Sequence, residues 1–348
     1  MQAGLGPTLG PNVGMRRAGR CRRRVAHCGQ SAFAVSGYKS VAANRFAAAF
    51  RLLGWLAARA AGGLRWGSEE QDMCELFAVS SARPARVRLR FAEFATHGAP
   101  LQALTGSAGN PDGWGAAYFD GVDAHVLREP VPAVRSVFAR VLEDHDFHSP
   151  LVLAHVRRAS RGPVALANTQ PFVRELGSRV HVFAHNGDLP GVESLAPAPG
   201  DWEAPARPVG QTDSEAGFCH LLRMLQPLWR DPASPPSEQA RLQVVEEFAA
   251  GLREFGPANF LYSDGQCLFA HADRRRQADG VIREPGLHLW LRRAATRHDH
   301  DVAGLQLRGQ HHEAHPLALL ASVPLGGGDW RALPRGTVVG VAAGERFA

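Results

Sequence analysis

The sequence predicts a fold in which antiparallel β-sheets are stacked on one another and covered by helices. Two β-hairpins are indicated by strand-like segments that flank short turns, one at Asp120-Gly121 and one at Ser263–Gln266. Beyond residue 73, three segments show apolar residues at helical spacing. Hairpins that alternate with a few helices favour stacked sheets, because each sheet and each helix must bury an apolar face.

The strands are predicted from short apolar runs bounded by turn residues. Cys74–Ser80 is the first of them and is expected to be buried. The turn at Asp120-Gly121 suits the two positive-φ positions of a type I′ hairpin. The hairpin strands are Ala116–Phe119 with Val122–Leu127, and Asn259–Tyr262 with Cys267–His271; the other strands are Leu151–Val156, Val180–Ala184, Leu287–Leu291, Leu317–Val323 and Thr337–Val341.

Each helix is predicted from a 3.6-residue apolar period. The third also has a start signal, because Thr212-Asp213-Ser214-Glu215 is a Thr-x-x-Glu capping box. Gly256 is expected just past the end of the helix that contains Leu242 and Leu252. The apolar positions are Val134, Val137, Phe138, Val141 and Leu142; Leu242, Val245, Phe248, Ala249 and Leu252; and Phe218, Leu221, Leu222 and Leu225.

The positive charge of the chain is confined to its first fifth. The whole chain carries +6, but residues 1–72 hold eleven Lys and Arg against three Asp and Glu, a net +8, so the remainder carries −2. The overall charge therefore says nothing about the partners of the main part of the protein. For that part we expect no nucleic-acid partner and no membrane partner.

Three interpretations of residues 1–73 compete. This stretch is rich in Arg, Ala and Gly. It is a basic arm for nucleic acid or membranes, a transit-type leader, or upstream sequence added by a wrong start, with Met73 the true initiator. The wrong start is favoured for a chemical reason given below. We expect residues 1–73 to be an extension and residues 74–348 to form the functional domain.

Cysteine usage favours a reducing compartment. The five cysteines are scattered, odd in number and free of Cys-x-x-Cys spacing, which argues against a disulfide framework or a zinc knuckle. We therefore expect a cytoplasmic protein. The longest mostly apolar run, Phe46–Leu64, is interrupted by Arg51 and Arg59 and is a poor membrane span.

No metal and no cofactor is expected. A cluster of histidines falls in what the sequence predicts as a polar loop between strands, and it lacks the His-Glu-x-x-His spacing of a zinc site. Neither a Walker A sequence nor Gly-x-Ser-x-Gly occurs. The histidines are His298, His300, His311, His312 and His315.

Four short segments hold residue types suited to one reaction. They are Met73-Cys74, His155–Gly162, His185-Asn186-Gly187 and Thr212–Glu215, and each follows or ends a predicted strand or opens a helix. At such positions, side chains and backbone N–H groups can converge on a cleft. Taken singly, each segment has an ordinary structural explanation, such as a buried cysteine or an Asn-Gly turn.

In this order and spacing, the four segments resemble those of the class II glutamine amidotransferases, members of the N-terminal nucleophile hydrolase superfamily. The resemblance covers nearly all of Cys74–Ala348 and is closest to the stand-alone bacterial branch that begins Met-Cys-Glu-Leu. That branch also carries the sequences found here as Asp112-Gly113-Trp114-Gly115 and Gly344-Glu345-Arg346. The resemblance implies an α+β fold, a four-layer αββα sandwich of two stacked antiparallel sheets.

The resemblance also implies attack by Cys74 on the side-chain amide of L-glutamine, through a thioester, releasing ammonia and glutamate. The base in this superfamily is the α-amino group of the nucleophile itself, acting directly or through a water molecule. A free α-amine has a pKa of about 7.7–8.0, near working pH, as a general base requires. That amine exists only if Cys74 is the first residue of the mature chain. A start at Met73, or removal of residues 1–73, supplies it.

The remaining site residues are implied by the same resemblance. The side-chain amide of Asn186 and the backbone N–H of Gly187 would form the oxyanion hole. Arg157 would bind the α-carboxylate of the substrate, a task suited to a planar two-pronged donor. Asp213 would pair with the α-ammonium group. Ser160 falls at a Thr of the family motif and would help to hold the ligand.

The sequence departs from the wider family at two positions and leaves the reaction partner open. Arg158 stands where the family has Trp, and Arg161 stands where it has His. No ammonia-accepting synthase domain is recognisable, so an acceptor would be a separate, unidentified partner. Two alternatives remain: hydrolysis of another γ-glutamyl compound on the same fold, and a catalytically silent module that binds or regulates. The presence of a free α-amine on Cys74 distinguishes an enzyme from a catalytically silent module.

Overall fold

The computed structural model describes residues 74–94, 112–145, 147–197, 204–231, 234–277, 279–294, 300–302, 305–308 and 315–348. The predictions for residues 1–73, and those for His298, His311 and His312, lie outside the described residues.

The strands alternate with few helices, as the sequence predicts. In chain order the strands are β1 (Glu75–Leu89), β2 (Trp114–Asp120), β3 (Asp123–Glu129), β4 (His148–Val156), β5 (Phe172–Leu176), β6 (Arg179–Asn186), β7 (Asn259–Ser263), β8 (Cys267–His271), β9 (Arg275–Arg276), β10 (Ile282–Arg283), β11 (His288–Ala294), β12 (His300–Val302), β13 (Leu305–Arg308), β14 (His315–Ala321), β15 (Arg331–Ala332), β16 (Val338–Ala342) and β17 (Glu345–Arg346). The α-helices are α1 (Phe91–Phe94), α2 (Val137–Asp144), α3 (Asp213–Leu225) and α4 (Glu238–Leu252).

Within the described residues, these strands form two large antiparallel sheets. The first has the order β15-β11-β14-β1-β4-β2-β3, with β13 also beside β1 and β12 beside β13. The second has the order β17-β16-β8-β7-β6-β5. Strands β9 and β10 pair separately. Neighbours in both sheets run antiparallel, as in β1 with β4 and β6 with β7.

Three apolar clusters define four layers. The outer face of the first sheet packs against α1 and α2, with Phe77 and Leu142 among the buried residues. Leu76 and Leu261 belong to the cluster between the two sheets. The outer face of the second sheet packs against α3 and α4 through residues such as Phe183. The expected αββα sandwich, the fold of the N-terminal nucleophile hydrolases, is confirmed.

Strand β1 is longer than predicted because it passes through a bulge. The register of β1 against β4 shifts between Ser80 and Ala85, a stretch that contains Pro84. A proline cannot donate to a ladder hydrogen bond, and a bulge accommodates it. The arginine-rich continuation up to Leu89 then pairs with β13, in a region where the sequence predicted only a polar loop.

The first hairpin turns one residue later than predicted. Asp120 pairs with Asp123, so the two turn residues are Gly121 and Val122. Gly121 has a φ of +62°, whereas Val122 is not among the positive-φ residues. A positive φ only at the first central position is the pattern of a type II′ turn, not of the predicted type I′. The second hairpin, β7–β8, lies where the sequence placed it.

The three predicted helices are present, with differences at their ends and faces. Ser136 caps α2 by accepting a hydrogen bond from the N–H of Ala139 at 2.8 Å. The buried residues of α2 are Ala139 and Leu142, whereas Val137, Phe138 and Val141 are exposed. Helix α4 ends at Leu252. Gly256, which was expected directly after this helix, follows only after a turn at residues 253–255.

Candidate active site

Cys74 lies directly before β1, at an end of the first sheet where three strands are held in register. Its neighbour Glu75 pairs with Val156 at the end of β4, and Val156 also pairs with Trp114 at the start of β2. The backbone N–H of Arg157 donates to the carbonyl of Gly113 at 2.7 Å. The sheet therefore places Cys74 beside the segment that follows β4, which joins two of the sequence-predicted site segments.

The thiol of Cys74 is bound to the backbone of Arg158. Its sulfur accepts a hydrogen bond from the Arg158 N–H at 3.1 Å, and the thiol contacts the Arg158 carbonyl oxygen at 3.1 Å. Burial raises the pKa of the thiol to about 11. The Arg158 N–H and the Arg157 guanidinium oppose this rise, and the Glu75 and Asp112 carboxylates add to it. With its peptide bond to Met73 intact, Cys74 is therefore a neutral thiol at pH 7.

Asn186 reaches Cys74 from the second sheet. It is the last residue of β6, and its side-chain amide donates a hydrogen bond to the carbonyl oxygen of Cys74. A primary amide has two N–H donors, so the second N–H of Asn186 can donate to another acceptor close to Cys74. This geometry suits the predicted role of Asn186 as an oxyanion donor.

Gly187 is shaped by a close backbone approach. Its φ is +154°, and a Cβ at this position would lie 1.8 Å from the carbonyl oxygen of Pro257. Any other residue would displace the turn that follows β6. The Asn186-Gly187 pair therefore requires glycine for a steric reason in addition to its predicted oxyanion-hole function.

Arg157 is almost fully buried and has one edge of its guanidinium group committed. Its Nη2 donates to the carbonyl oxygen of Arg161 at 2.9 Å. Its Nη1 is buried and has no hydrogen-bond partner among the described residues. Burial lowers the pKa of Arg157 from its ordinary value, although an arginine remains charged at neutral pH. An unsatisfied buried N–H of a cation suits the predicted binding of a carboxylate.

His155 lies two residues before this arginine but contributes no charge. Burial, with smaller contributions from Arg157 and His185, lowers the pKa of its imidazole to about 3. The ring is therefore neutral at physiological pH. The positive charge available to a substrate carboxylate in this part of the site comes from Arg157.

Asp213 opens α3 and is buried. Its Oδ1 accepts from the N–H of Ser214 at 2.7 Å, and its Oδ2 accepts from the N–H of Leu189 at 2.8 Å. A carboxylate at a helix N-terminus is stabilised by the helix dipole. Two backbone bonds leave lone pairs free for a cation, which suits the predicted pairing with an ammonium group.

The capping box around Asp213 is half formed. The hydroxyl of Thr212 accepts from the N–H of Glu215 at 3.3 Å, as predicted. The Glu215 carboxylate does not return the bond but accepts from the N–H groups of Val209 and Gly210 and pairs with Arg174. Glu215 therefore fastens the loop that precedes α3 instead of capping the helix.

The structure brings together most of the predicted site residues. Asn186 contacts Cys74 directly, Gly187 follows Asn186, and Arg157 follows the strand that pairs with β1. Asp213 is connected to this group through Leu189. Ser160 is exposed on the loop after Arg157, and its predicted contact with a ligand stays a prediction.

Sequence reasoning missed the residues that hold the site in place. Glu75 is completely buried and pairs with Arg275 at 3.0 Å, and Arg275 also donates to the carbonyl of Ser322 at 2.8 Å. The Ser322 hydroxyl accepts from the N–H of Leu76 at 2.7 Å. The two residues after Cys74 are thus anchored by side chains that lie 200 and 246 residues further along the chain. A glutamate inside an apolar strand was the available signal.

Asn259 and Asp112 play similar supporting roles. Asn259 donates to the carbonyl oxygens of Asn186 at 3.3 Å and Arg274 at 3.0 Å, which fixes the end of β6. The carboxylate of Asp112 accepts from the N–H of Ala159 at 2.7 Å. The Asp112-Gly113 part of the motif therefore braces the segment that carries Arg157.

The described residues contain no group of three or more His, Cys, Asp or Glu side chains arranged to hold a metal ion. His300 lies in β12 and His315 begins β14. Among the helices that the structure describes, none is long and apolar enough to cross a membrane.

With this fold and this arrangement at Cys74, the chain belongs to the class II glutamine amidotransferases: the model of that family, Glutamine amidotransferases class-II, matches residues 73–348. The chain is similar to YafJ of Escherichia coli (strain K12), provisionally named a glutamine amidotransferase. The identity is 34% over 279 residues, which are 79% of this chain and 99% of YafJ.

Two further comparisons agree. A protein of Haemophilus influenzae, also provisionally named a glutamine amidotransferase, is 31% identical over 199 residues, which are 57% of this chain and 63% of that protein. The crystal structure of a predicted glutamine amidotransferase from Pseudomonas aeruginosa PA01 is 28% identical, with a TM-score of 0.57, and covers 79% of this chain and 100% of its own.

The raised pKa of Cys74 predicts how the thiol reacts with iodoacetamide. In the chain with an intact Met73–Cys74 bond, alkylation of Cys74 should be slow at pH 7–8 and rise about tenfold per pH unit up to pH 10. Burial raises the pKa values of Cys219 and Cys267 to about 12, so these thiols serve as internal controls that react even less. Peptide mass mapping measures each site. Rapid alkylation of Cys74 at pH 7 in the intact chain would contradict a raised pKa of this thiol.

The Glu75–Arg275 pair predicts a large stability effect. Removing one partner of a buried pair leaves an uncompensated charge, so Glu75→Ala should lower the free energy of unfolding by about 3–5 kcal/mol, measured by urea denaturation. The matched control is Asp279→Ala, which breaks an exposed pair with Arg283 of 2.7 Å and should change stability little. Equal effects of the two substitutions would show that the buried pair does not anchor β1.

Proposed function

We propose that the protein is a glutaminase-type amidohydrolase in which Cys74, as the first residue of the active chain, attacks the side-chain amide of L-glutamine. The observation that carries this proposal is the position of Cys74: its carbonyl accepts from the Asn186 amide, and its thiol is hydrogen-bonded to Arg158, at the strand end that also carries Arg157. Family membership supports glutamine as the substrate.

The first half of the reaction forms a thioester. The α-amino group of Cys74 takes the proton of its own thiol, and the sulfur bonds to the δ-carbon of glutamine. The carbonyl oxygen becomes an oxyanion, which the second N–H of Asn186 and the N–H of Gly187 stabilise. The intermediate then collapses, its C–N bond breaks, and the ammonium group of Cys74 returns the proton to the departing nitrogen, which leaves as ammonia.

The second half regenerates the enzyme. A water molecule adds to the thioester carbon while the α-amine takes one of its protons, and a second oxyanion forms in the same place. Collapse of this intermediate breaks the C–S bond, returns the proton to the sulfur and releases glutamate. Both halves use one base whose pKa lies near neutrality, so no other side chain is required as a base.

The head group of the substrate would be held by opposite charges. Arg157 offers the buried Nη1 that has no partner among the described residues, and the α-carboxylate would satisfy it. Asp213 offers a buried carboxylate to the α-ammonium group. A free amino-acid head group carries these two charges, so glutamine and other γ-glutamyl compounds fit the site equally well at this end.

The mechanism requires that residues 1–73 are absent from the active chain. An amide nitrogen between Met73 and Cys74 cannot accept a proton, whereas a terminal amine can. The match of the family model from residue 73 supports this boundary. We further propose a cytoplasmic location, which is supported by the free state of the three described cysteines, Cys74, Cys219 and Cys267.

The first test compares chains that begin at Cys74 with chains that retain residues 1–73. The shorter chain should release ammonia from L-glutamine, and the longer chain, verified intact by mass spectrometry, should not. Cys74→Ser should abolish release, whereas Cys219→Ala, which alters a buried cysteine of α3, should retain it. Turnover by the intact longer chain would refute the mechanism. Hydrolysis of other γ-glutamyl amides without glutamine turnover would favour a different leaving group.

The second test addresses the oxyanion hole. Loss of one oxyanion donor typically costs about 2.7–4 kcal/mol, so Asn186→Ala should lower kcat by a factor of about 10²–10³ and change KM little. Asn186→Asp keeps the shape of the side chain but replaces the donor with an acceptor, and it should be at least as slow. A variant with nearly normal kcat would exclude Asn186 from this role.

A further inference from the structure

Arg161 lies among three carboxylates beside the predicted ammonium-binding residue. Its Nε is 2.5 Å from Oδ1 of Asp188 and 3.7 Å from Oδ2 of Asp213, and its Nη1 is 3.3 Å from Oε1 of Glu193. The side chains of Asp188 and Glu193 are 53% and 54% exposed, whereas that of Asp213 is 4% exposed. One cation is therefore shared between two solvated carboxylates and one buried carboxylate.

The backbone on both sides of this cluster is fixed. Arg157, the predicted carboxylate ligand, donates through Nη2 to the carbonyl of Arg161 at 2.9 Å. Leu189, which follows Asp188, donates its N–H to Asp213 at 2.8 Å. Arg161 is thus held close to Asp213 by the chain itself, and it can approach Asp213 further only by loosening its bonds to Asp188 and Glu193.

Asp213 needs a counter-ion when a substrate covers it. A buried carboxylate without a positive partner is costly, and a bound ligand removes the water that screens it. Glutamine brings its own α-ammonium group. A glutarate-type amide that has no charged nitrogen at the α-position brings none. Among the described residues, Arg161 is the cationic side chain within 4.0 Å of Asp213.

We propose that Arg161 is a specificity-determining residue that relaxes the requirement for a substrate α-ammonium group by neutralising Asp213 when that group is absent. The inference rests on the proposed function, in which Asp213 faces the α-nitrogen. The substrate class then widens from glutamine to γ-carboxamides of glutarate whose α-position carries no positive charge. Asp188 and Glu193 hold Arg161 back, so that the ammonium group of glutamine is still accepted.

The test uses two substrates, L-glutamine and glutaramate, which is glutamine without its α-amino group. The readout is the ratio of their kcat/KM values, measured by ammonia release with the enzyme preparation that is active on glutamine. In Arg161→Gln, kcat/KM for glutaramate should fall about tenfold or more, while that for glutamine changes less than about threefold. Arg161→Lys keeps the charge and should restore most of the activity on glutaramate.

Two further variants separate a local effect from a general change in charge. Arg223→Gln removes the same charge from an exposed position of α3, ten residues beyond Asp213 and about 15 Å along the helix axis, and should leave the ratio unchanged. The double variant Asp188→Asn with Glu193→Gln frees Arg161 to pair with Asp213. It should shift the ratio about tenfold in the opposite direction, towards glutaramate.

The outcomes distinguish the two proposals. If neither substrate is turned over by any preparation, the proposed function fails. If glutamine is turned over but the ratio stays within about threefold of the parent value in both Arg161→Gln and the double variant, the role of Arg161 is overturned. Equal ratio changes in Arg161→Gln and Arg223→Gln would also overturn it, because the effect would then come from net charge.

Discussion

The hydrogen bond from the Asn186 amide to the carbonyl of Cys74 joins the two sheets at this site. Cys74 stands at an end of the first sheet and Asn186 at the end of β6 in the second, so the bond fixes the distance between the proposed nucleophile and its proposed oxyanion donor. Buried side chains next to Cys74 and Asn186 hold these two strand ends in place. Glu75 is pinned by Arg275, and the backbone of Asn186 is pinned by Asn259. A sandwich of two sheets suits such a site, because each sheet supplies a rigid strand end.

The electrostatics of the site depend on the state of one nitrogen. With the peptide bond before Cys74 intact, burial and the Glu75 and Asp112 carboxylates hold the thiol neutral, and Arg157 only partly opposes them. A free α-amino group on the same residue would lie close to the thiol. In its neutral form it would accept the thiol proton, and in its protonated form its positive charge would stabilise the thiolate. Because burial keeps the uncleaved thiol neutral, the proposed mechanism needs a base as close to the sulfur as this amine.

The parts of the fold that depend on local pattern could be predicted from the sequence, and the parts that depend on distant partners could not. The β7–β8 hairpin and α3 follow from turn residues and apolar periods. The extension of β1 past Pro84 depends on its pairing with β13, which no local pattern reveals. At α2 the apolar period predicted the helix, yet Val137, Phe138 and Val141 are exposed. Cys74, Arg157 and Asn186 were found through a family resemblance, whereas Asn259 and Arg275 act only through contacts that folding creates.

The segment after β4 connects the two charged ends of the predicted head-group site. Arg157 uses one edge of its guanidinium group to hold the Arg161 carbonyl and leaves the other edge free, while the Arg161 side chain extends to within 3.7 Å of Asp213. The binding site for a carboxylate at Arg157 and the surroundings of Asp213 are therefore connected by one short segment, residues 157–161. Asp112 and Gly113, directly before β2, brace the first part of this backbone through bonds with Arg157 and Ala159. Arg161, which stands where the wider family has histidine, thus adds a permanent charge to this segment, and its bonds to Asp188 and Glu193 limit how closely it approaches Asp213.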